Sequence, residues 1–258
     1  MYMMKSPKGR NPMNGRVAPC LYTDAEVDAF FASCKRVHFI GIGGISMSGL
    51  AQIMFGRGCT VSGSDRTASE ITKKLEDIGM DVRIGHNLEA LENADLVVHT
   101  AAIASNDPEL VAAKNMGKEI MDRASFLGKL MGEYKNAIGV AGTHGKTTTT
   151  GMLSSIFLQA GKNPTIHIGG RLDLIDSSVY AGGNDFFITE ACEYVESFLS
   201  MMITSAIVLN IDNDHLDYYR DINHVYDAFK RFVGLIPSNG LLVGCADDPL
   251  TLKLMRAA

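Results

Sequence analysis

The sequence predicts an α/β fold in which two parallel sheets follow one another along the chain. Short apolar runs alternate with helical patterns from residue 36 to near the end of the sequence. This alternation is typical of parallel sheets covered by helices on both faces. Two glycine-containing turns, at residues 41–46 and 142–145, each stand between an apolar run and a helical pattern. Turns in that position favour phosphate binding at the start of the following helix.

Composition indicates an ordinary folded protein rather than a nucleic-acid-binding or membrane protein. The 258 residues are 46% hydrophobic and 21% charged, with a formal net charge of −5. This length suggests one large or two ordinary domains, and the acidic balance argues against a general nucleic-acid-binding surface. No stretch approaches the ~20 apolar residues of a membrane span, and no signal-peptide-like apolar run follows the basic residues near the amino terminus.

Cysteine usage points to a reducing compartment. The five cysteines are odd in number and none forms a Cys-x-x-Cys pair, so the sequence predicts neither a zinc site nor a disulfide framework. We therefore expect a cytoplasmic protein that does not insert into a membrane.

Residues 1–35 are predicted to form an amino-terminal arm and a short helix. Proline and glycine recur through the first twenty residues, which is typical of a flexible arm. Thr23 and Glu26 have the spacing of a capping box, and Val27, Phe30 and Phe31 follow at helical spacing. A short helix that docks by packing is expected there.

Residues 36–133 are predicted to form a Rossmann-like domain. Its expected strands lie at residues 37–42, 60–62, 82–84 and 96–99, and its expected helices at residues 47–55, 70–78, 109–116 and 123–131. Gly132 marks a hinge, after which a second α/β pattern begins.

The first turn of this domain, Gly-Ile-Gly-Gly-Ile-Ser at residues 41–46, is close to the dinucleotide-binding fingerprint. Ser46 stands where the third glycine belongs, and Asp65 stands about where an acidic residue meets a ribose hydroxyl. Two functional interpretations are open: a nicotinamide-binding dehydrogenase domain, and a domain that binds another nucleotide diphosphate through the same turn. A tight turn with a purely structural role is a third.

Residues 134–258 are predicted to form a second domain with its own parallel sheet. Its expected strands lie at residues 137–141, 186–189, 206–209 and 241–243, and its expected helices at residues 148–160 and 225–232. The segment Ala-Gly-Thr-His-Gly-Lys-Thr-Thr-Thr-Thr, at residues 141–150, joins the first strand to the first helix.

This segment has the chemistry of an ATP-binding phosphate loop. Gly142 and Gly145 allow backbone N–H groups to turn towards phosphates. Lys146 would reach the outer phosphates, and Thr147 would offer a hydroxyl to Mg²⁺. Val140 stands where the usual pattern has glycine, so the loop is a variant. The structural alternative is a glycine-containing turn with a solvated lysine. An ATP loop here favours the second interpretation of the turn at residues 41–46.

Polar residues follow two more strands of the second sheet. Glu190 comes directly after the strand at residues 186–189, and His215 ends the Asn-Ile-Asp-Asn-Asp-His segment after the strand at residues 206–209. Ligands in open α/β sheets bind beyond the carboxyl ends of strands, so Glu190 could bind a second Mg²⁺ and His215 could complete its shell. Alternatively, Glu190 and Glu193 are helix-start carboxylates, and His215 forms only local hydrogen bonds.

Together these motifs resemble the Mur ligase family. The resemblance rests on residues 38–51, 62–65, 141–150, 190–193 with 197–199, and 210–215, and it covers residues 36–254 in order. It implies an ATP- and Mg²⁺-dependent ligase of peptidoglycan precursor synthesis, which joins L-alanine to the carboxylate of UDP-N-acetylmuramate through an acyl phosphate. The first domain would bind the UDP substrate and the second would bind ATP.

The resemblance also assigns roles to individual residues. Those implied for the UDP substrate are Gly41, Gly43, Gly44, Ser46, Ser64 and Asp65. Those implied for ATP are Gly142, Thr143, His144, Gly145, Lys146, Thr147 and Thr148. Metal ligands are implied at Thr147, Glu190 and His215, and catalytic roles at Lys146, Glu190 and His215.

The sequence departs from the family pattern in its length. Family members have three domains, whereas this sequence stops at Ala258 within what resembles the central ATP-binding domain. The amine-binding domain is missing, so we expect an incomplete fragment with little or no ligase turnover alone. A recycling ligase that adds a preformed peptide to the same sugar nucleotide, and a non-catalytic nucleotide-binding module, remain alternatives. The oligomeric state is not predicted.

Overall fold

The computed structural model describes residues 2–5, 31 and 34–257. The strands in these residues are β1 (Tyr2–Lys5), β2 (Arg36–Ile40), β3 (Thr60–Asp65), β4 (Asp81–Ile84), β5 (Leu96–His99), β6 (Glu119–Asp122), β7 (Asn136–Ala141), β8 (Thr165–Leu172), β9 (Ser177–Tyr180), β10 (Phe186–Glu190), β11 (Ser205–Val208) and β12 (Leu241–Gly244). The α-helices are α1 (Ile45–Gly56), α2 (Glu70–Asp77), α3 (Leu88–Asn93), α4 (Pro108–Asn115), α5 (Arg123–Gly132), α6 (Lys146–Gln159), α7 (Ile222–Val233) and α8 (Pro249–Ala257).

The first sheet has five strands in the order β4-β3-β2-β5-β6, and every pair is parallel. The order reverses between β2 and β5, so the turn that follows β2 opens at the crevice where such sheets bind ligands. All four predicted strands are present. The sequence prediction missed β6 and α3, because four and six residues are too short to show a clear period.

The second sheet has seven strands in the order β1-β12-β11-β7-β10-β8-β9. Strands β12, β11, β7, β10 and β8 are parallel to one another. Because β7 lies between β10 and β11, the loop after β7 is flanked by the residues that follow these two strands. This strand order explains why the phosphate loop, Glu190 and residues 209–215 meet at one edge of the sheet.

Three strands of the second sheet lie beyond the prediction: the parallel strand β8 and the antiparallel strands β9 and β1. β9 pairs with β8, and β1 pairs with β12. The expectation of a flexible arm over the first twenty residues is therefore wrong at Tyr2–Lys5, where main-chain hydrogen bonds to the outer edge of β12 impose a strand. The remaining arm residues and most of the expected short helix lie outside the described residues. Phe31 belongs to that helix, and its ring packs edge-on against Phe126.

The two halves share one continuous hydrophobic core. Phe39 and Leu127 from the first half belong to the same buried cluster as Phe187 and Phe198 from the second. Helix α1 also packs closely on the second sheet, since a Cβ atom at Gly49 would lie 2.9 Å from the ring of His167 in β8. The predicted α/β fold with two successive parallel sheets is confirmed, and the sheets are packed together.

Candidate active site

Two helices begin differently from the others. Side chains cap the amino termini of α2, α3, α4, α5 and α7, the capping residues being Ser69, Asn87, Asp107, Asp122 and Asp221. Helices α1 and α6 begin instead after Gly44 and Gly145, with no capping side chain and no acidic residue in the first turn. Their first N–H groups and the positive ends of their dipoles are thus left for an anion. These are the two helices for which the sequence predicts phosphate binding.

The turn before α1 packs so closely against its neighbours that Gly41 and Gly43 have no room for a side chain. Gly41 has a φ of +82°, and a Cβ there would lie 2.8 Å from Thr100 Cγ2. A Cβ at Gly43 would lie 2.8 Å from a carboxylate oxygen of Asp65. That carboxylate accepts the Gly43 N–H at 2.9 Å, so Asp65 holds the turn from the end of β3. Gly44 is exposed, which leaves this side of the turn open to a ligand.

Ser64 supports the turn from beneath. Its carbonyl oxygen accepts the N–H groups of Gly41 and Ile42 at 2.8 and 3.0 Å. Its hydroxyl is buried and donates to the carboxylate of Glu109 at 2.5 Å. Because this hydroxyl is enclosed, it does not face the opening at which a ligand would enter.

Glu109 is a buried carboxylate that the sequence analysis did not single out. It accepts hydrogen bonds from the Ser64 hydroxyl and the Asn87 N–H, the latter at 2.8 Å, and the imidazoles of His38 and His86 lie 3.1 and 3.3 Å from its oxygens. Burial raises its pKa, but the hydrogen bonds from His38, Ser64 and Asn87 outweigh burial and bring the pKa to about 2. Glu109 therefore stabilises the strand ends that support the first turn, as a charged group.

The phosphate loop is anchored to the end of β11. Gly142 has a φ of +147°, and a Cβ there would lie 2.9 Å from Leu209 Cβ. Asn210 accepts the Thr143 N–H with its carbonyl oxygen at 3.1 Å and the His144 N–H with its side-chain oxygen at 2.8 Å. The loop therefore depends on two close approaches to β11, and the glycine at residue 142 is required by both φ and space.

Lys146, the first residue of α6, points back into the loop. Its Nζ donates to the carbonyl oxygens of Gly142 and Thr143 at 2.7 and 3.2 Å. It also donates to both carboxylate oxygens of Glu193, at 2.9 and 3.1 Å. The ammonium is thus held within the loop, at the position expected of a group that contacts the outer phosphates.

His215 lies on the other side of Glu193. Its Nε2 is 3.6 Å from Glu193 Oε1, and its ring centroid is 4.6 Å from that of Tyr194. His215 has a φ of +52°, a left-handed conformation that is unusual for a residue with a side chain. Among the described residues, Glu193 is the carboxylate within 4.0 Å of this ring, and Glu190 is not.

Glu190 and Thr147 converge on a pair of glycines in β8. The Glu190 carboxylate accepts the Gly169 N–H at 2.7 Å. A Cβ at Gly170 would lie 3.0 Å from Thr147 Cγ2. The strand order places Glu190, Thr147 and His215 at the edge of the second sheet that carries the phosphate loop. The carboxylate of Glu190 and the hydroxyl of Thr147 are oxygen donors of the hard type that Mg²⁺ takes, so the chemistry of these two groups fits this ion.

A cleft between the two halves joins Ser46, in the first turn of α1, to Glu190, at the end of β10. It is lined by Ser46, Arg123, Ala124 and Leu127 from the first half and by His167, Gly169, Thr189, Glu190, Cys192, Ser197 and Met201 from the second. Arg123 donates to the hydroxyl of Ser46 at 3.2 Å, and no carboxylate of the described residues lies within 4.0 Å of its guanidinium. This cationic side chain stands beside the first turn of α1, where a diphosphate is expected.

Sequence reasoning assigned no role in this region to Arg123, His167 or Gly169, and it named Glu193 beside Glu190 without predicting its contact with Lys146. Arg123 and His167 belong to segments with no motif, and only the packing of the two sheets brings them to the cleft. Glu193 carried a weak signal, because it lies three residues after Glu190, but its contact with Lys146 follows from the strand order rather than from spacing. No distance within 4.0 Å joins Glu190 to His215 among the described residues, although the two were predicted as a pair.

The described residues contain four of the five cysteines and the eight α-helices. Cys34, Cys59, Cys192 and Cys245 are free thiols, and Cys20 lies outside the described residues. Burial raises the pKa of Cys34 to about 12, so this thiol is held in its neutral form. None of the described helices is long and apolar enough to cross a membrane.

The fold and the candidate site define an α/β protein of two packed, mainly parallel sheets, each carrying a helix that begins without a capping side chain after a glycine-containing turn. The comparison with protein families assigns it more narrowly. The chain belongs to the Mur ligase family: the model of the family's catalytic domain matches residues 36–135, and the model of its middle domain matches residues 140–258.

Curated relatives carry the name of one particular ligase. UDP-N-acetylmuramate–L-alanine ligase of Acetivibrio thermocellus is 54% identical over 222 residues, which are 86% of this chain and 47% of the relative. The enzyme of the same name from Clostridium botulinum strain Kyoto is 54% identical over 224 residues, which are 87% of this chain and 49% of the relative. The chain therefore spans about half the length of the curated relatives it matches.

Solved structures show the same similarity. UDP-N-acetylmuramate-alanine ligase from Thermotoga maritima has a TM-score of 0.75 at 32% identity, covering 85% of this chain and 51% of that one. UDP-N-acetylmuramate:L-alanyl-gamma-D-glutamyl-meso-diaminopimelate ligase from Neisseria meningitides has a TM-score of 0.77 at 29% identity. The match covers 88% of this chain and 76% of that one. The backbone is therefore alike in ligases that use different amines.

Proposed function

We propose that this chain binds UDP-N-acetylmuramate on its first half and Mg²⁺-ATP on its second, and that it serves the ATP-dependent ligation of L-alanine to the muramoyl carboxylate in the cytoplasm. The observation that carries the proposal is the shared cleft. Ser46, in the first turn of α1, and Glu190, at the end of the strand beside the phosphate loop, line the same opening. A diphosphate on α1 would therefore extend its sugar towards the outer phosphates of ATP on α6.

The first half would hold the sugar nucleotide by its diphosphate. The first N–H groups of α1, near Ser46, would face the diphosphate, and Arg123 adds a positive charge beside them. Gly41, Gly43 and Gly44 would let the diphosphate approach the turn closely, while their own N–H groups are bonded within the turn. Asp65 lies where it could meet the nucleoside, while Ser64 acts through its backbone. The diphosphate would neutralise a guanidinium that has no carboxylate partner among the described residues.

The second half would hold ATP through residues 142–148, including Thr143, His144 and Thr148. Lys146 would neutralise charge that develops on the transferred phosphoryl group, since phosphoryl transfer depends mainly on positioning and charge stabilisation. Thr147, Glu190 and His215 would hold Mg²⁺, which when bound supplies further positive charge to the phosphate oxygens.

The reaction then has two steps. The muramoyl carboxylate attacks the γ-phosphorus of ATP, which forms an acyl phosphate and releases ADP. The amine of L-alanine attacks the acyl carbon, a C–N bond replaces the C–O bond to phosphate, and phosphate and a proton leave. Placing the carboxylate in the cleft beside Glu190 would align it for the first step.

The recycling ligase is the second candidate, and the similarity to the Neisseria meningitides enzyme supports it. Identity favours L-alanine, because the curated alanine ligases are 54% identical and the Neisseria meningitides enzyme is 29% identical. A competition between L-alanine and the tripeptide for sugar-nucleotide-dependent ADP release, measured on a protein that also contains the amine-binding domain, would separate the two amines. Preferential use of the tripeptide would overturn the assignment of L-alanine.

Positional isotope exchange tests the first step without the amine. ATP labelled with ¹⁸O in the β–γ bridge should scramble its label when the chain is given Mg²⁺ and UDP-N-acetylmuramate, and should not scramble without the sugar nucleotide. Scrambling reports reversible transfer to the carboxylate. If both ligands bind but no scrambling occurs, the chain acts as a nucleotide-binding module and the proposed chemistry is wrong for it.

A further inference from the structure

Glu193 is the residue through which Lys146 and His215 meet. Its side chain is 2% exposed. Both of its carboxylate oxygens bond the Lys146 ammonium, at 2.9 and 3.1 Å, and His215 Nε2 lies 3.6 Å from Oε1. The proposed function gives a role to Lys146 and His215 but none to this carboxylate.

The position of this carboxylate matters because the same ammonium lies inside the phosphate loop. Lys146 Nζ is 2.7 Å from the carbonyl oxygen of Gly142 and 3.2 Å from that of Thr143. A triphosphate that reaches Lys146 must therefore come close to a buried negative charge that already shares this cation.

We propose that Glu193 is a positioning residue that makes the phosphate loop accept ATP as its magnesium complex in preference to free ATP. The inference rests on the proposed ATP site and deepens it. Glu193 would fix the Lys146 ammonium and the His215 ring in place, and its charge would oppose a triphosphate that arrives without a divalent cation.

Two physical effects act in the same direction. Like charges a few ångströms apart repel strongly where water is excluded, so the buried carboxylate weakens the binding of metal-free ATP. A carboxylate beside a metal-binding imidazole orients the ring and raises its basicity, so the same group supports Mg²⁺ at His215. Together they increase the ratio of the affinities for Mg²⁺-ATP and free ATP.

The carboxylate can be altered without releasing the segment that carries it. The backbone carbonyl of Glu193 accepts a hydrogen bond from the buried Tyr219 hydroxyl, and Phe198 in the same segment stacks on Phe232 with ring centroids 4.6 Å apart. A neutral side chain at residue 193 should therefore change the charge in the loop while the fold stays anchored.

The test is calorimetric titration of the chain and its Glu193→Gln variant with ATP, once with excess Mg²⁺ and once with a chelator. We expect the variant to bind free ATP about tenfold more tightly and Mg²⁺-ATP more weakly than the original chain. A change of opposite sign in the two titrations is not expected of a residue with a purely structural role, which would weaken both.

Glu196→Gln is the matched control. Glu196 lies three residues after Glu193, in the short 3₁₀ helix Tyr194–Ser200, and its side chain pairs with Arg231 and His224 rather than with the phosphate loop. Its loss should leave both ATP affinities within about twofold, since an exposed or partly exposed ion pair contributes little.

A second comparison covers the case in which Glu193→Gln does not fold. In the Lys146→Met background no cation remains for Glu193 to balance, so the Lys146→Met/Glu193→Gln double variant removes a buried unpaired charge and should fold more readily. The double variant should bind free ATP more tightly than Lys146→Met alone.

The outcomes are distinct. Unchanged relative affinities for Mg²⁺-ATP and free ATP in both comparisons would overturn the role of Glu193 while leaving the ATP site intact. Absence of ATP binding by the original chain under either condition would overturn the proposed ATP site and this inference with it.

Discussion

The imidazole Nε2 of His167, on β8, lies 3.1 Å from the carbonyl oxygen of Ser46 at the start of α1. The same nitrogen is 3.2 Å from the Ser46 hydroxyl, and Nδ1 is 3.2 Å from the Thr189 hydroxyl. His167 thus joins the helix that begins the predicted diphosphate site to the sheet that carries the phosphate loop. Its ring is buried. Protonation of the ring would therefore disturb the packing of the two halves.

The free energy of unfolding should fall on mild acidification, because the buried His167 ring is neutral in the folded chain. Burial lowers the pKa of His167 to about 4 from 6.5, so the folded state favours the neutral ring. The unfolded chain binds the proton first, and the contribution is complete above pH 6.5 and is lost as pH falls towards 4. The loss should be on the order of 3 kcal/mol. Urea unfolding at several pH values should show that His167→Gln removes this slope. An unchanged slope would contradict the assignment.

Glu109 should contribute to the free energy of unfolding down to a lower pH than His167 does. Its pKa is lowered from 4.5 to about 2, so its contribution is complete above pH 4.5 and is lost as pH falls towards 2. We expect Glu109→Gln to lower the free energy of unfolding at pH 7 by on the order of 3 kcal/mol. The measurement is urea unfolding at pH 7 and pH 3, with a smaller difference between the two chains at pH 3. Exposed Glu89→Gln should be neutral; an equal loss at both pH values would argue against the charged form.

Lys146→Ala should abolish ATP use and weaken ATP binding at least tenfold, because the ammonium that meets the outer phosphates is removed. It also leaves Glu193 buried without its cation, so the free energy of unfolding should fall by about 3 kcal/mol. Binding of UDP-N-acetylmuramate should be unchanged. Calorimetric titration with each ligand checks both statements. Lys162→Ala, at an exposed residue beyond the carboxyl end of α6, is the control and should change neither ATP affinity nor stability. Retention of ATP affinity by Lys146→Ala would exclude this loop as the ATP site.

Gly142→Ala should destabilise the chain and weaken ATP binding. The new Cβ would meet Leu209 Cβ at 2.9 Å at a φ of +147°, with an expected cost of about 1–3 kcal/mol. Gly161→Ala is a matched control, because Gly161 has a φ of +66° and nothing within 4 Å of the added atom. It should cost only about 1 kcal/mol and leave ATP affinity alone. Thermal unfolding and ATP titration of both variants distinguish close packing from backbone strain, and equal losses would show that the contact with Leu209 is unimportant.

The sequence predicted the parallel strands and the two glycine-containing turns better than it predicted the contacts between residues of the site. Apolar runs such as residues 137–141 predicted β7, and the glycines at residues 142 and 145 predicted the loop, because both depend on local properties. β1 was missed because hydrogen bonds to β12, rather than a local pattern, stabilise it. The contacts of Glu193 and His167 were missed for a related reason: their partners Lys146 and Ser46 lie 47 and 121 residues away, and only the strand order brings them together.

The central claim is that one chain carries two nucleotide sites, one for a UDP sugar and one for ATP. Calorimetric titration of the chain with UDP-N-acetylmuramate and then with Mg²⁺-ATP tests it most directly. We predict that each ligand binds once, that neither displaces the other, and that Lys146→Ala removes the ATP isotherm alone. Binding of a nicotinamide dinucleotide in place of the UDP sugar, or displacement of one nucleotide by the other, would contradict the account.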